Sequence, residues 1–265
     1  MNGSPIITLT TDYGLRDHYV SALKAMILSI NRDVRLIDVS HMIDPQDVMA
    51  AAWITQNSAF LYPSGTIHVV IVDPGVGTSR KPIALRIRDQ IFVGPDNGLF
   101  SLIADGEECE IFELSNTEYW GNQRSNTFHG RDIFAPVAAH LSRGVLLEDI
   151  GTKVDNLVQY KWALPVHDNE GIQGWVMHID HFGNLITNVT AEMMSHLSDD
   201  APLKIYIGNT ILKRIVRTFS DVDPGEPAAL IGSSGHLEVV VNSGNASEML
   251  SANKGTPISI LFGKS

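Results

Sequence analysis

Apolar positions in the first half of the chain follow two alternating rhythms. Short β-branched runs at Ile6 to Thr10, Val34 to Val39 and Thr66 to Val72 predict strands, and the last, TIHVVIV, is apolar enough to be buried on both faces. Between them, Asp17 to Ser29 and Asp47 to Phe60 carry apolar residues at helical spacing, with Asp17 positioned to cap the first helix. Ile83 to Ile87 and Gln90 to Val93 predict a hairpin, Asn97 to Ala104 a short helix, and Asp132 to Arg143 a further helix ended by Gly144. This alternation predicts an α/β domain with a central, mostly parallel sheet.

The rhythm changes near Tyr160. WALPVHDNEG has the composition of a linker or turn. Beyond it, short runs at Gly174 to Ile179, Leu203 to Ile207, Ile211 to Val216, Ala228 to Ile231, Leu237 to Val241 and Pro257 to Leu261 are separated by Gly, Asn and Asp. They predict a smaller all-β, barrel-like domain. The expected division is therefore 1–165 and 166–265. The sequence contains neither an internal repeat nor a low-complexity tract.

Composition narrows the classes of function. With 265 residues, 44% of them hydrophobic, the chain has enough apolar surface to offset the entropy of ordering. A net charge of -11 argues against a polyanion partner, because nucleic-acid binders present basic faces to phosphates, and it also opposes docking on an anionic membrane. The single cysteine, Cys109, excludes an internal disulfide framework and a cysteine-cluster metal site and fits a reducing compartment. MNGSPIITLTTDYG lacks the basic start and apolar core of a signal peptide, and no apolar run approaches the ~20 residues that span a bilayer. A soluble cytoplasmic protein is expected.

Four turn segments concentrate unusual chemistry. TTDYG places Asp12 at the end of the first strand, where a carboxylate could accept two hydrogen bonds from a ribose diol; an Asx turn or helix cap is the stronger reading on local sequence alone. VDPGVGTSR sets Asp73 after the most buried strand, with glycines exposing backbone N–H groups and Arg80 seven residues on; a tight turn with a structural ion pair explains it equally well. Neither GK[ST] nor GxGxxG occurs there. FHGRD groups His129 and Arg131 beside a glycine, although a lone histidine is more often structural. IDHFGNLITN crowds Asp180, His181, Asn184 and Asn188 around Phe182 and a glycine, more polar groups than a plain hairpin needs. His41 with Asp44, and His178 with Asp180 and His181, lack the spacing of a helix-borne metal site, so no metal is expected. Without GxSxG, and with SSG at Ser233 to Gly235 reading as a turn, a serine hydrolase is disfavoured.

Taken in order, TTDYG, VDPGVGTSR, GPDNG (Gly94 to Gly98), FHGRDIFAP (Phe128 to Pro136) and IDHFGNLITN resemble the S-adenosyl-L-methionine hydroxide adenosyltransferases, relatives of the fluorinase and chlorinase enzymes. The resemblance runs over nearly the whole chain. It implies an α/β domain followed by a β-barrel-like one, and a homotrimer with sites between subunits. The implied reaction is attack of water-derived hydroxide on the ribose C5′, releasing adenosine and L-methionine. S-adenosyl-L-methionine is then substrate, and no cofactor is needed. The family's catalytic Asp–Arg–His set falls on Asp73, Arg80 and His129. Its ribose-binding aspartate falls on Asp12, its methionine-amino aspartate on Asp180, an aromatic beside the base on Phe182 and an adenine-facing asparagine on Asn184. Ser233 and Ser234 fall where the methionine carboxylate is held.

Departures from the halogenating branch accompany the likeness. The fluorinase has a tyrosine where Asp73 stands, a threonine at Val76, a serine at Gly130 and an arginine at Ser234. A carboxylate at 73 with no hydroxyl at 76 or 130 disfavours a halide by repulsion. Asp73 or His129 could accept the proton of an attacking water, with Arg80 fixing Asp73; the residues alone do not choose between the two. A non-catalytic adenosine- or S-adenosylmethionine-binding protein and a halide-using transferase are the alternatives.

Overall fold

The computed structural model describes residues 3–160, 164–168, 171–195 and 203–262. The chain divides into two compact units, Met1–Tyr160 and Lys161–Ser265. The expected linker WALPVHDNEG falls partly outside the described residues.

The first unit is an α/β layer built on seven strands: β1 (Ile6–Thr11), β2 (Arg35–Ser40), β3 (Ile67–Ile71), β4 (Pro82–Ile87), β5 (Gln90–Pro95), β6 (Cys109–Glu113) and β7 (Thr152–Val154). Their order is β2-β1-β3-β5-β4-β6-β7. The predicted mostly parallel sheet is instead mixed. Strands β2, β1, β3 and β5 run parallel, but the two-residue turn at Arg88 and Asp89 sends β4 back antiparallel to β5. Arg88 takes a left-handed φ of 55° to make that turn. Once β5 occupies the place beside β3, β4 and then β6 and β7 extend the sheet in antiparallel pairs.

Alternate residues of β3 feed opposite faces, as strand geometry requires. Val69 and Ile71 pack with Ile7 and Leu9 beneath α1 (Tyr19–Ile30), which contributes Leu23 and Ile27. Val70 and Val72 pack on the other face with Val48, Ala50 and Ala51 of α2 (Val48–Ser58). Asp47 caps α2 by accepting from Ala50 N at 2.8 Å. His18, not Asp17, stands at the N-cap of α1, and no side chain bonds there. The expected helix from Asn97 to Ala104 is a run of turns, because Leu99, Phe100 and Ile103 reach the core from turn positions. The expected helix from Asp132 is a π-type turn, Gly130–Phe134, running into α3 (Ala135–Leu141); Gly144 follows at φ 91°.

The second unit holds β8 (Val166–His167), β9 (Gly171–Ile179), β10 (Leu185–Thr190), β11 (Leu203–Ile207), β12 (Thr210–Leu212), β13 (Ile215–Val216), β14 (Pro227–Ile231), β15 (His236–Val241) and β16 (Pro257–Phe262), and among the described residues it has a short α-helix, α4 (Ala246–Leu250). The order is β12-β11-β16-β9-β10-β15-β14-β13, with β8 on β9. Strand β12 at one end comes back against β14 near the other, so the sheet curls nearly into a barrel around Ile172, Val176, Leu185, Val239 and Ile260.

Candidate active site

Parallel neighbours β1 and β3 end side by side, with Thr11 in register with Ile71. Each delivers an aspartate just past its carboxyl end, Asp12 after β1 and Asp73 after β3. Ligands of α/β sheets bind at such strand ends. A cleft of about 330 Å³ opens there, with Asp12, Tyr13, Asp73, Val76, His129 and Gly130 in its walls.

The chain after Asp73 doubles back. Val76 N donates to Asp73 O at 3.2 Å and Thr78 N to Gly75 O at 3.1 Å, while Gly77 turns at φ 78°. This return lays Arg80 on Asp73. Arg80 Nε donates to Asp73 Oδ1 at 2.9 Å, and Nη2 donates to Oδ2. Nη2 also donates to His129 Nδ1 at 2.9 Å, and the guanidinium lies 5.3 Å from the centre of the Phe134 ring. The Asp73 and Arg80 side chains are only 7% and 8% exposed, so the pair is shielded from solvent.

That geometry fixes the tautomer of His129. A guanidinium has only donors, so Nδ1 must accept and the ring proton sits on Nε2. Burial, followed by the charges of Arg80 and Arg124, lowers the His129 pKa and keeps the ring neutral. Nε2 is buried and has no hydrogen-bond partner among the described residues. His129 therefore carries its donor at Nε2, and its one accepting ring nitrogen is already taken by Arg80.

Asp12 Oδ2 accepts from Gln46 N at 2.9 Å. Gln46 holds a left-handed φ of 68°, a conformation costly for a residue with a Cβ, which points its N–H at the carboxylate. Burial raises the Asp12 pKa, and the negative charge of Asp73 adds to it against the pull of Gln46. Burial pushes the Tyr13 phenol well above its ordinary value, and its hydroxyl occupies the space where a Cβ on Gly130 would lie. FHGRD is thus split: His129 joins Arg80, whereas Arg131 donates to Asp132 at 2.6 Å.

In the second unit, Asp180 organises the turn from β9 to β10. Its Oδ1 accepts from Phe182 N and Asn184 N, each at 2.9 Å, and Oδ2 accepts from Asn184 Nδ2 at 2.8 Å. Phe182, 73% exposed, stands at the tip of this turn. Ser233 and Ser234 lie in the β14–β15 turn, where Gly235 N donates to Gly232 O at 3.0 Å; the buried Ser234 Oγ has no partner among the described residues. Glu238, on β15, folds its carboxylate over Gly232, where only a glycine leaves room. Burial and then the charge of Asp180 raise the Glu238 pKa.

Sequence reasoning passed over Tyr13, Gln46 and Glu238. Tyr13 was within the TTDYG motif, and Glu238 is the one charged residue of the strand HLEVVV. Gln46 gave no signal, since its backbone does the work. Among the described residues, no three His, Cys, Asp or Glu side chains gather as a metal-binding group, and no helix is long and apolar enough to cross a membrane.

Comparison with known proteins bears on the whole chain. Residues 7–151 match the model of the SAM hydroxide adenosyltransferase N-terminal domain, and residues 174–259 match that of the C-terminal domain. A Salinispora tropica protein named (R)-S-adenosyl-L-methionine hydrolase is 37% identical over 99% of this chain and 100% of its own. A fluorinase from Actinoplanes sp. is 29% identical over 91% of this chain and 92% of its own. The crystal structure of an uncharacterized conserved protein from Thermotoga maritima superposes with a TM-score of 0.88 at 40% identity, covering 96% of this chain and 99% of that one.

Proposed function

The chain belongs to the SAM hydroxide adenosyltransferase family, and from that membership we propose how its cleft works. The protein is an S-adenosyl-L-methionine hydrolase, releasing adenosine and L-methionine. The observation that carries the mechanism is the Asp73–Arg80–His129 array beside Asp12 at the ends of two parallel strands. A water held by the Nε2–H of His129 gives its proton to Asp73 as its oxygen attacks C5′. The C5′–S bond breaks with its electron pair going to sulfur, so the sulfonium leaves as a neutral thioether. Arg80 keeps Asp73 oriented and His129 in the donor tautomer. Asp12 holds the ribose diol.

The second unit is assigned the rest of the substrate: Asn184 and Phe182 for the adenine, Asp180 for the methionine ammonium, and Ser233 and Ser234 for its carboxylate. Asp180 already accepts three hydrogen bonds, so we add Glu238 as a second acceptor for the ammonium. On this proposal residues 1–165 supply the chemistry and 166–265 complete the site, in a cytoplasmic homotrimer with sites between subunits. The exposed Leu15 and Met42, flanking the segment that carries Asp12, offer apolar surface for a neighbouring copy. Because L fixes the α-carbon, the (R) in the relative's name denotes the sulfonium centre, and we extend that configuration to this chain.

Incubation with each sulfonium diastereomer, followed by chromatography for adenosine, tests the reading. Adenosine from neither would refute it. Chloride-dependent formation of a 5′-chloro product would favour a halide transferase, against which Asp73, Val76 and Gly130 all argue. For assembly, an inactive Asp73→Asn chain refolded with an inactive Asp180→Ala chain should regain activity. Mixed trimers without activity would refute the shared site and leave the reaction standing.

A further inference from the structure

His41 is a buried titratable side chain to which the chemistry above gives no role. It follows β2 and is 3% exposed. Its Nδ1 lies 2.8 Å from Thr11 Oγ1, and the same hydroxyl oxygen accepts from Tyr13 N at 3.2 Å. The His41 carbonyl accepts from Gly14 N at 2.7 Å. Ring and carbonyl thus grip both ends of the segment 11–14, which carries Asp12 and Tyr13 into the cleft. Gln46, in the same loop as His41, supplies a third grip through its N–H on Asp12. Behind the ring, Nε2 lies 3.1 Å from Asp38 Oδ1, an electrostatic contact poorly aligned for a hydrogen bond, and Asp38 Oδ2 accepts from Lys24 Nζ at 2.6 Å.

We propose that His41 is a positioning residue for substrate binding: it spans Thr11 and Asp38 and thereby sets where Asp12 meets the ribose. Three observations argue for it. Thr11 is completely buried and its hydroxyl oxygen already accepts from Tyr13 N, so the imidazole is the side chain that takes up the hydroxyl proton. Among the described residues, Asp12 receives a hydrogen bond only from Gln46 beyond its own backbone, so the aim of its carboxylate follows the backbone of 11–14. Asp38, itself tied to α1 through Lys24, anchors the far side of the ring to a helix rather than to a loop. Side chains that must meet a ligand to within a fraction of an ångström require such backing.

The inference rests on Asp12 contacting the ribose, and the test separates the two. kcat and KM are measured for His41→Leu, His41→Asn and Thr11→Val, with S-adenosyl-L-methionine and with its 2′-deoxy analogue. Thermal unfolding is followed in parallel. His41→Leu should raise KM roughly tenfold or more with a smaller change in kcat. The penalty for removing the 2′-hydroxyl should shrink, because a misaimed Asp12 no longer distinguishes the two substrates. His41→Asn, with a polar atom near the position of Nδ1, should recover part of both. Thr11→Val, which removes the hydroxyl at nearly constant volume, should shift KM in the same direction and serves if His41→Leu does not fold. Folded variants with unchanged KM and unchanged discrimination would overturn the proposal even if their melting temperatures fall. A parent enzyme indifferent to the 2′-hydroxyl would instead overturn the role of Asp12.

Discussion

Replacing Arg80 by lysine keeps the positive charge and removes the fork. The guanidinium makes two hydrogen bonds to Asp73 and one to His129, from a site with little solvent. A lysine ammonium is a point donor on a flexible stem and can satisfy one of these directions at a time. Two charge-assisted bonds are lost, worth about 1.5–3 kcal/mol each. Taking the lower figure, about 3 kcal/mol of alignment disappears. If it is felt only in the transition state, that is roughly a hundredfold loss in kcat at ~1.4 kcal/mol per decade. KM should change little, because Arg80 orients Asp73 and His129 and is assigned no contact with the ribose. Asp73 keeps an ionic partner, so unfolding should remain cooperative at a lowered midpoint. Adenosine release at saturating and limiting substrate, with a denaturant titration on the same preparation, measures all three. A folded Arg80→Lys enzyme with kcat within about threefold of the parent would refute the argument that the fork sets the tautomer and the aim of the carboxylate.

Asp12→Ala should act mainly on KM, by roughly tenfold to a hundredfold for one charge-assisted bond, and should lose discrimination against a 2′-deoxy substrate; equal penalties in mutant and parent would show that Asp12 does not touch the diol. Gly130→Ser should destabilise by about 1–3 kcal/mol without yielding a halogenated product, because its side chain would collide with the Tyr13 hydroxyl and crowd Leu23 and Ile71; an unchanged melting temperature would contradict this. Burial and then Arg80 keep His129 less basic in the fold than in the unfolded chain, so below about pH 6.5 the unfolded chain binds more protons and stability falls with acidification. Denaturant titrations from about pH 7 to about pH 5 should show that slope reduced in His129→Asn, and an unaltered slope would remove His129 from the account. Glu238→Gln should raise KM for the natural substrate with kcat nearly unchanged, and should leave KM for a deaminated analogue alone; equal effects on both would exclude an ammonium contact.

Local chemistry made much of the fold legible. Five successive buried residues in β3, the two-residue hairpin between Ile87 and Gln90 and the cap at Asp47 are set by neighbours in sequence. Of the antiparallel half of the first sheet only the β4–β5 hairpin was legible; β6 and β7 beyond it were not, and periodicity does not show which edge a strand joins. The turns around Leu99 and Phe100 look helical because apolar spacing alone does not distinguish a turn that feeds the core from a helix that does. In the site, Asp73 and Arg80 could be paired from a spacing of seven residues and two intervening glycines. The link from Arg80 to His129 spans 49 residues, so neither the contact nor the tautomer it imposes is visible in the chain. The same holds for Glu238 beside Asp180 and for His41 beneath Thr11. IDHFGN drew attention for its polar residues, and that attention hid the ordinary strand β10 that follows.

The two aspartates at the strand ends carry the same charge but meet the reaction differently. Asp12, on the proposed mechanism, holds a diol that is the same in substrate and product, so its hydrogen bonds stabilise ground and transition states alike and appear in KM. On the same mechanism, Asp73 faces a centre whose charge changes. As the C5′–S bond breaks, the sulfonium loses its positive charge, and as the water gives up its proton, Asp73 loses its negative one. Two opposite charges cancel in the same step, and a shielded pair gains more from cancellation than one in water, because low polarity penalises separated ions. The Arg80 fork keeps the carboxylate aimed and occupies the accepting nitrogen of His129, so that the imidazole does not compete for the water proton. The burial of Asp73 and Arg80 to within a few per cent is therefore part of the chemistry, and a water channel opened beside them should lower kcat before it affects KM.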